Sequence, residues 1–241
     1  MHYTQYMPFN TGGSVMLQGL PTILNHTDLR FVAQPILARD GALYGHEILL
    51  RFKHYEGPHA LLKIVQHLGL KQDLDLDVCR LAEHMLFWKK DTGCWNINLY
   101  AESLCRTELQ RELLELARKL KPAFLLIDVL EMSEIQDMPH LRRSMQGLHD
   151  GGIRFALSVE ELSRPYAQFL PFDVIRMNVQ QYSREEWKLW QEEAQVHNLP
   201  LLAYRVEQVQ QLHDLNNLGI ELFQGYAVAE EEILAEPRHQ L

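Results

Sequence analysis

Phe31-Val32-Ala33-Gln34-Pro35-Ile36 and, shortly after it, Tyr44-Gly45-His46-Glu47-Ile48-Leu49-Leu50-Arg51-Phe52 are the two stretches from which the rest of the chain is read. Both are apolar runs of strand length with single polar residues set into them. Successive side chains of a strand face opposite ways, so Glu47 and Arg51, four apart, share a face and can pair there. Counting these two as 31–38 and 44–52, strand-like runs recur at 94–99, 123–129, 153–159, 173–178, 199–203 and 221–224. Helical patterns lie between them. In 101–120, Leu104, Leu109, Leu113, Leu114, Leu116, Ala117 and Leu120 fall roughly on one stripe, and 206–217 carries Val206, Val209, Leu212 and Leu215 at spacings of three. Ser183 reads as a helix N-cap with Glu186 at the capping-box position. Strands alternating with helices make an α/β chain. A β/α barrel and a doubly wound open sheet fit that periodicity about equally.

Composition sets wider bounds. A length of 241 residues suits one large domain or two small ones, and 46% hydrophobic residues suffice for a core. A formal net charge of −9 argues against broad binding to DNA or to anionic membranes. Cys79, Cys94 and Cys105 form no CxxC and read as reduced, mostly buried thiols of a cytoplasmic protein. No run approaches the roughly 20 apolar residues of a membrane span. Residues 1–27, with Thr11-Gly12-Gly13-Ser14, read as an N-terminal extension without signal-peptide character, and 28–241 as one domain. His46, His54 and His59 lie close in sequence, but Leu50 stands where a His-Glu-x-x-His pair needs its second histidine, so zinc is not expected. Trp187, Leu189 and Trp190 read as helix packing or, if exposed, as a partner patch.

The opening pair resembles the start of the EAL domain family, the cyclic di-GMP phosphodiesterases: a Gln-Pro-Ile strand, then a Gly-x-Glu-x-Leu-x-Arg strand. The resemblance can be followed along almost the whole chain. It decides for the barrel, a (β/α)8 TIM-like barrel of the EAL type with one early strand antiparallel, and places the site at the carboxyl ends of the strands. In that family two divalent cations, held by carboxylates and an Asn, activate the water that opens one phosphodiester bond. Carried over, Glu47 matches the motif Glu, Asn98 of Asn96-Ile97-Asn98-Leu99 the metal-binding Asn, and Glu131 of Asp128-Val129-Leu130-Glu131 the last Glu of Glu-Ile-Thr-Glu. These are vestigial metal ligands.

Elsewhere the pattern breaks. Ser158 and Val159 occupy the two Asp positions of the family's Asp-Asp-Phe-Gly-Thr-Gly, and the glycine-rich loop is missing. Glu160 and Glu161 fall where a helix should begin and read as solvated. Arg176 of Arg176-Met177-Asn178 replaces the Lys of Lys-Ile-Asp. Tyr204 of Ala203-Tyr204-Arg205-Val206-Glu207 replaces the proposed general base, and a phenol with a pKa near 10 is a poor base. No catalytic residue set is therefore expected, nor a magnesium or manganese pair. The ligand-contacting positions are better kept: Gln34, Glu47, Leu49, Arg51, Asp75, Asn98, Glu207 and Gln224 match, and Arg176 and Arg205 are cations that could meet phosphates in place of metals. The expectation is a catalytically inactive regulatory protein that binds a protein partner, such as a transcriptional or signalling regulator of motility or biofilm, with no direct nucleic acid or membrane contact. Two alternatives stay open, a cyclic di-GMP receptor without metal and a residual phosphodiesterase.

Overall fold

The computed structural model describes residues 29–52, 59–86 and 92–234. The expected extension at 1–27, and His54, lie outside them. Strands β1 (Leu29–Ala38) and β2 (Leu43–Phe52) form an antiparallel pair that matches Gln34 with Glu47 and Ile36 with Gly45. From β2 the sheet runs in parallel through β3 (Cys94–Tyr100), β4 (Phe124–Leu130), β5 (Arg154–Ser158), β6 (Val174–Asn178), β7 (Leu201–Tyr204) and β8 (Leu222–Phe223). β8 then pairs antiparallel with β1, which closes the barrel. The expected early reversed strand is thus β1, and the open-sheet alternative is excluded by the closure. A ninth strand, β9 (Glu232–Ile233), adds to β1.

Six α-helices are described: α1 (His59–His67), α2 (Lys71–Leu86), α3 (Thr107–Leu120), α4 (Met138–Asp150), α5 (Arg184–Val196) and α6 (Val209–Asn217). α3 shows why they coat the barrel. Leu109, Leu113, Leu116, Ala117 and Leu120 are buried on one stripe, as the 3.6-residue period requires. The predicted helix over 101–120 divides into a 3-10 turn at Ala101–Cys105 and α3, because Arg106 between them is extended. The helix expected at 206–217 begins three residues later, at Val209. The Ser183–Glu186 capping box is present. Of the Trp stripe, Trp187 is buried, Trp190 packs edge-on against Tyr182, and Leu189 is 61% exposed. His46 stacks on Trp95.

The barrel interior is layered by the two-residue period of its strands. Ile36, Cys94, Leu126, Ala156, Val174, Leu202 and Leu222 form a closed apolar floor. Gly45 belongs to that floor because β2 and β3 approach too closely there for a side chain; a Cβ would stand 2.3 Å from both the Cys94 carbonyl oxygen and its Sγ. Two residues further toward the carboxyl ends the same inward face carries Asn96, Asp128, Ser158, Arg176, Tyr204 and Gln224, with Gln34 and Glu47 contributed by the β1–β2 pair. Polar residues therefore enter the barrel one layer above the apolar floor, and that layer builds the site.

Candidate functional site

Glu47 is the centre of this polar layer, and only 4% of it is exposed. Asn98 donates to its Oε1 at 2.7 Å, and Gln224 donates to its Oε2 at 2.6 Å. The same Gln224 amide donates to Gln34 at 3.1 Å. Gly225, with φ of +145° and no room for a Cβ beside the Val206 backbone, lets β8 turn immediately after Gln224.

Arg176 enters from β6. Its Nη2 lies 3.0 Å from Oε2 of Glu47, its Nη1 forms an ion pair with Oδ2 of Asp128, and its guanidinium is 4.7 Å from the centre of the Tyr204 ring. Only 3% of Arg176 is exposed. A guanidinium suits this position because its planar fork serves two carboxylates at once. Burial would raise the Glu47 pKa, but the charge of Arg176 and the hydrogen bonds from Asn98 and Gln224 hold it below the usual carboxylate value. For Asp128 burial wins over Arg176, and the pKa is raised to about 6. Burial also pushes the Tyr204 phenol above its ordinary value, with Arg176 opposing.

The other matched positions do not join this cluster. Glu131 has left-handed backbone, φ of 55°, and its carboxylate pairs with Lys71, which also reaches Glu134 at 3.0 Å. The motif match points to Glu131 as the vestigial ligand, whereas the inward-facing carboxylate of β4 is Asp128, since Leu126 and Asp128 share a face and Glu131 lies beyond the strand end. Asp75 is 2% exposed and accepts a hydrogen bond from the Tyr100 N–H at 2.8 Å, so it fastens α2 to the end of β3 and offers nothing to solvent. Burial raises its pKa to about 7. Arg51 does not pair with Glu47. Its Nε donates to Glu231 at 3.2 Å and a second guanidinium nitrogen pairs with the same carboxylate. Leu49 is half-buried. Arg205 and Glu207 are exposed and face each other at 3.7 Å.

The two former Asp positions point different ways. Ser158 continues the inward face of β5, whereas Val159 is fully buried in the outer core. Glu160 and Glu161 lie in a 3-10 turn and are not merely solvated: Tyr182 donates to Glu160 at 2.6 Å, and Tyr166 donates to Glu161. The resulting constellation is two inward carboxylates bridged by a buried guanidinium, with amides filling the remaining acceptor sites of Glu47.

The sequence model of the EAL domain family matches residues 18–231. The chain is 24% identical, over 92% of its length, to a protein of Escherichia coli strain K12 described as "Probable cyclic di-GMP phosphodiesterase PdeA", and it spans only 33% of that relative. In fold it is similar to an EAL domain protein of Listeria monocytogenes EGD-e, with a TM-score of 0.70 at 15% identity, covering 86% of this chain and 90% of that one. It is also similar to the FimX EAL domain of Pseudomonas aeruginosa, solved bound to c-di-GMP, with a TM-score of 0.68 at 19% identity, covering 88% and 93%. Among the described residues no helix is long and apolar enough to cross a membrane.

Proposed function

The chain belongs to the EAL domain family, and we propose that within it this protein is a catalytically silent regulatory member that acts by binding a protein partner. The observation that carries this reading is the position of Arg176 between Glu47 and Asp128. A cation pair of the family's kind needs those carboxylate oxygens as ligands. Here the guanidinium takes them, and the Asn98 and Gln224 amides turn their N–H groups rather than their oxygens toward Glu47. A divalent ion would stand against a buried positive charge. The donor set does not fit a metal pair. Nor does the layer hold a base. Tyr204 keeps its proton at neutral pH and Arg176 cannot give one up. What remains is a barrel end whose two carboxylates are held by one buried guanidinium, suited to presenting a surface to a transcriptional or signalling regulator.

A receptor role for cyclic di-GMP is the second reading. It draws on the retained Gln34, Glu47 and Arg51 and on the family's relation to cyclic di-GMP proteins. It requires Arg51 to leave Glu231 and the ligand to meet an Arg176 already stacked on the Tyr204 ring.

The test is incubation of purified protein with cyclic di-GMP and manganese, with separation of the nucleotides afterwards. Linear dinucleotide should not rise above a no-protein control. Turnover that disappears in Glu47→Ala would overturn the reading. Calorimetry with the nucleotide, with and without magnesium, separates the receptor alternative.

A further inference from the structure

We propose that the groove between α4 and the segment 165–170 is a docking site for an acidic segment of a partner protein that carries one bulky apolar anchor. The inference rests on the partner-binding reading above and gives it a location and a chemistry. The groove has a volume of about 770 Å³, enough for one or two large side chains, and Met138, Tyr166, Phe169 and Leu170 supply its apolar lining. Phe169 is 58% exposed, an unusual position for a large ring on a surface of this charge. It follows the 3-10 turn Pro165–Gln168.

The charge around the groove selects the partner. Arg142 lies over the Phe169 ring at 5.9 Å and steadies it. Arg142, Arg143 and, next to the lining residue Pro165, Arg164 are exposed, and among the described residues none of the three forms an ion pair. In a chain with 32 acidic and 23 basic side chains, cations are the minority, and among the described residues most of them have an ion-pair partner. Guanidiniums left open beside an exposed ring are complementary to carboxylates flanking an apolar side chain. Aromatic, Met and Arg side chains are also the types enriched where proteins bind one another. The carboxylates near the groove are already engaged: Glu161 is bound to the Tyr166 hydroxyl, Asp137 accepts from the His140 N–H at 2.9 Å, and Asp150 accepts from Gln146 at 2.8 Å. The neighbouring groove on α5 has the opposite character. Glu186, Glu192 and Glu193 surround Leu189 there, and it would repel the same segment.

The test is fluorescence anisotropy with labelled acidic dodecapeptides bearing a central Trp, Phe or Leu. Matched peptides carry Gln and Asn in place of the acids, or Ala in place of the anchor. The proposal expects saturable binding of the acidic anchored peptides, weaker at high salt. Binding should fall at least tenfold for the uncharged or Ala peptides, and at least tenfold in Phe169→Ala and in Arg142→Glu/Arg143→Glu. Leu189→Ala, on the other groove, should bind as wild type. All substituted side chains are exposed, and circular dichroism melts confirm that the variants fold. The proposal is overturned if no acidic peptide binds, if the groove variants bind as wild type does, or if a free mononucleotide displaces the peptides as well as an unlabelled peptide does. Light scattering that shows a dimer dissolved by Phe169→Ala also overturns it, because a second copy then fills the groove. Nucleotide turnover with peptide binding retained removes the regulatory reading alone. Peptide binding absent while turnover is absent removes the groove alone.

Discussion

The guanidinium of Arg176 and the carboxylate of Glu47 lie 3.0 Å apart inside a closed barrel, on strands 129 residues distant in sequence, and each is almost without solvent. A buried charge without a partner is far costlier than a buried pair is beneficial. Arg176 answers Glu47 and Asp128 together, so its loss leaves two carboxylates unanswered.

Arg176→Met is therefore expected to lower stability by about 3–5 kcal/mol at pH 7, the usual cost of breaking a buried pair from one side. Glu47→Gln and Asp128→Asn added to that background should restore most of the loss, because the triple variant buries no unpaired charge. Urea unfolding of the single and triple variants measures this. Equal stabilities would show that water reaches the carboxylates.

The strand pattern was legible because parallel barrel strands are buried on both sides and read as apolar runs. Glu47, Asn98 and Gln34 stood out through the family motifs alone, and the structure places the three in one hydrogen-bonded group with Gln224. The motif spacing that points to Glu131 runs past the end of β4, where alternation no longer holds, and the structure places that carboxylate on Lys71; counting in steps of two from Leu126 arrives at the inward-facing Asp128. The Arg51–Glu231 pair and the Lys71–Glu131 pair join residues 180 and 60 apart, and no local period encodes a contact of that kind. The sequence likewise marked Arg176 as a cation without indicating that it would be buried against two acids.

Asp75 supplies a pH prediction. Burial disfavours the charged form and pushes its folded pKa up from an ordinary 3.8 to about 7. Between those values the folded chain keeps a proton that the unfolded chain has released. Stability then falls as pH rises from about 4 to 7, and the full penalty is in place above pH 7. A shift of this size corresponds to a few kcal/mol, at about 1.4 kcal/mol for each pKa unit. Asp75→Asn keeps an acceptor for the Tyr100 N–H and removes the titration. It should melt near wild type at pH 4 and clearly above it at pH 8. Parallel melting curves across that range would refute the assignment.

Gly45→Ala tests the barrel floor. The added Cβ would meet the Cys94 carbonyl at 2.3 Å as well as its sulfur, so β2 and β3 must separate directly below Glu47. A loss of about 3 kcal/mol is expected, the upper part of the usual range for overpacking. Cys94→Ala in the same chain removes the sulfur but not the carbonyl, and should recover only part. Full recovery in thermal melts would place the clash on the side chain alone.

The last prediction asks whether Arg176 stands where a cation would. Arg176→Ala removes the guanidinium and leaves Glu47 and Asp128 facing the same space, with Asn98 beside them. Two anionic oxygens and an amide that can turn its oxygen inward are ligands for a hard divalent ion. Manganese at millimolar concentration should therefore raise the melting temperature of Arg176→Ala and leave wild type unchanged, since an ion that binds only the folded form stabilises it by about 2.7 kcal/mol at a hundred times its dissociation constant. Adding Asp128→Asn should abolish the gain, which separates this site from ions held at the surface. A manganese-induced rise in wild type that is lost in Glu47→Gln would mean that the metal and Arg176 coexist, and the case against a metal pair in this barrel would fail with it.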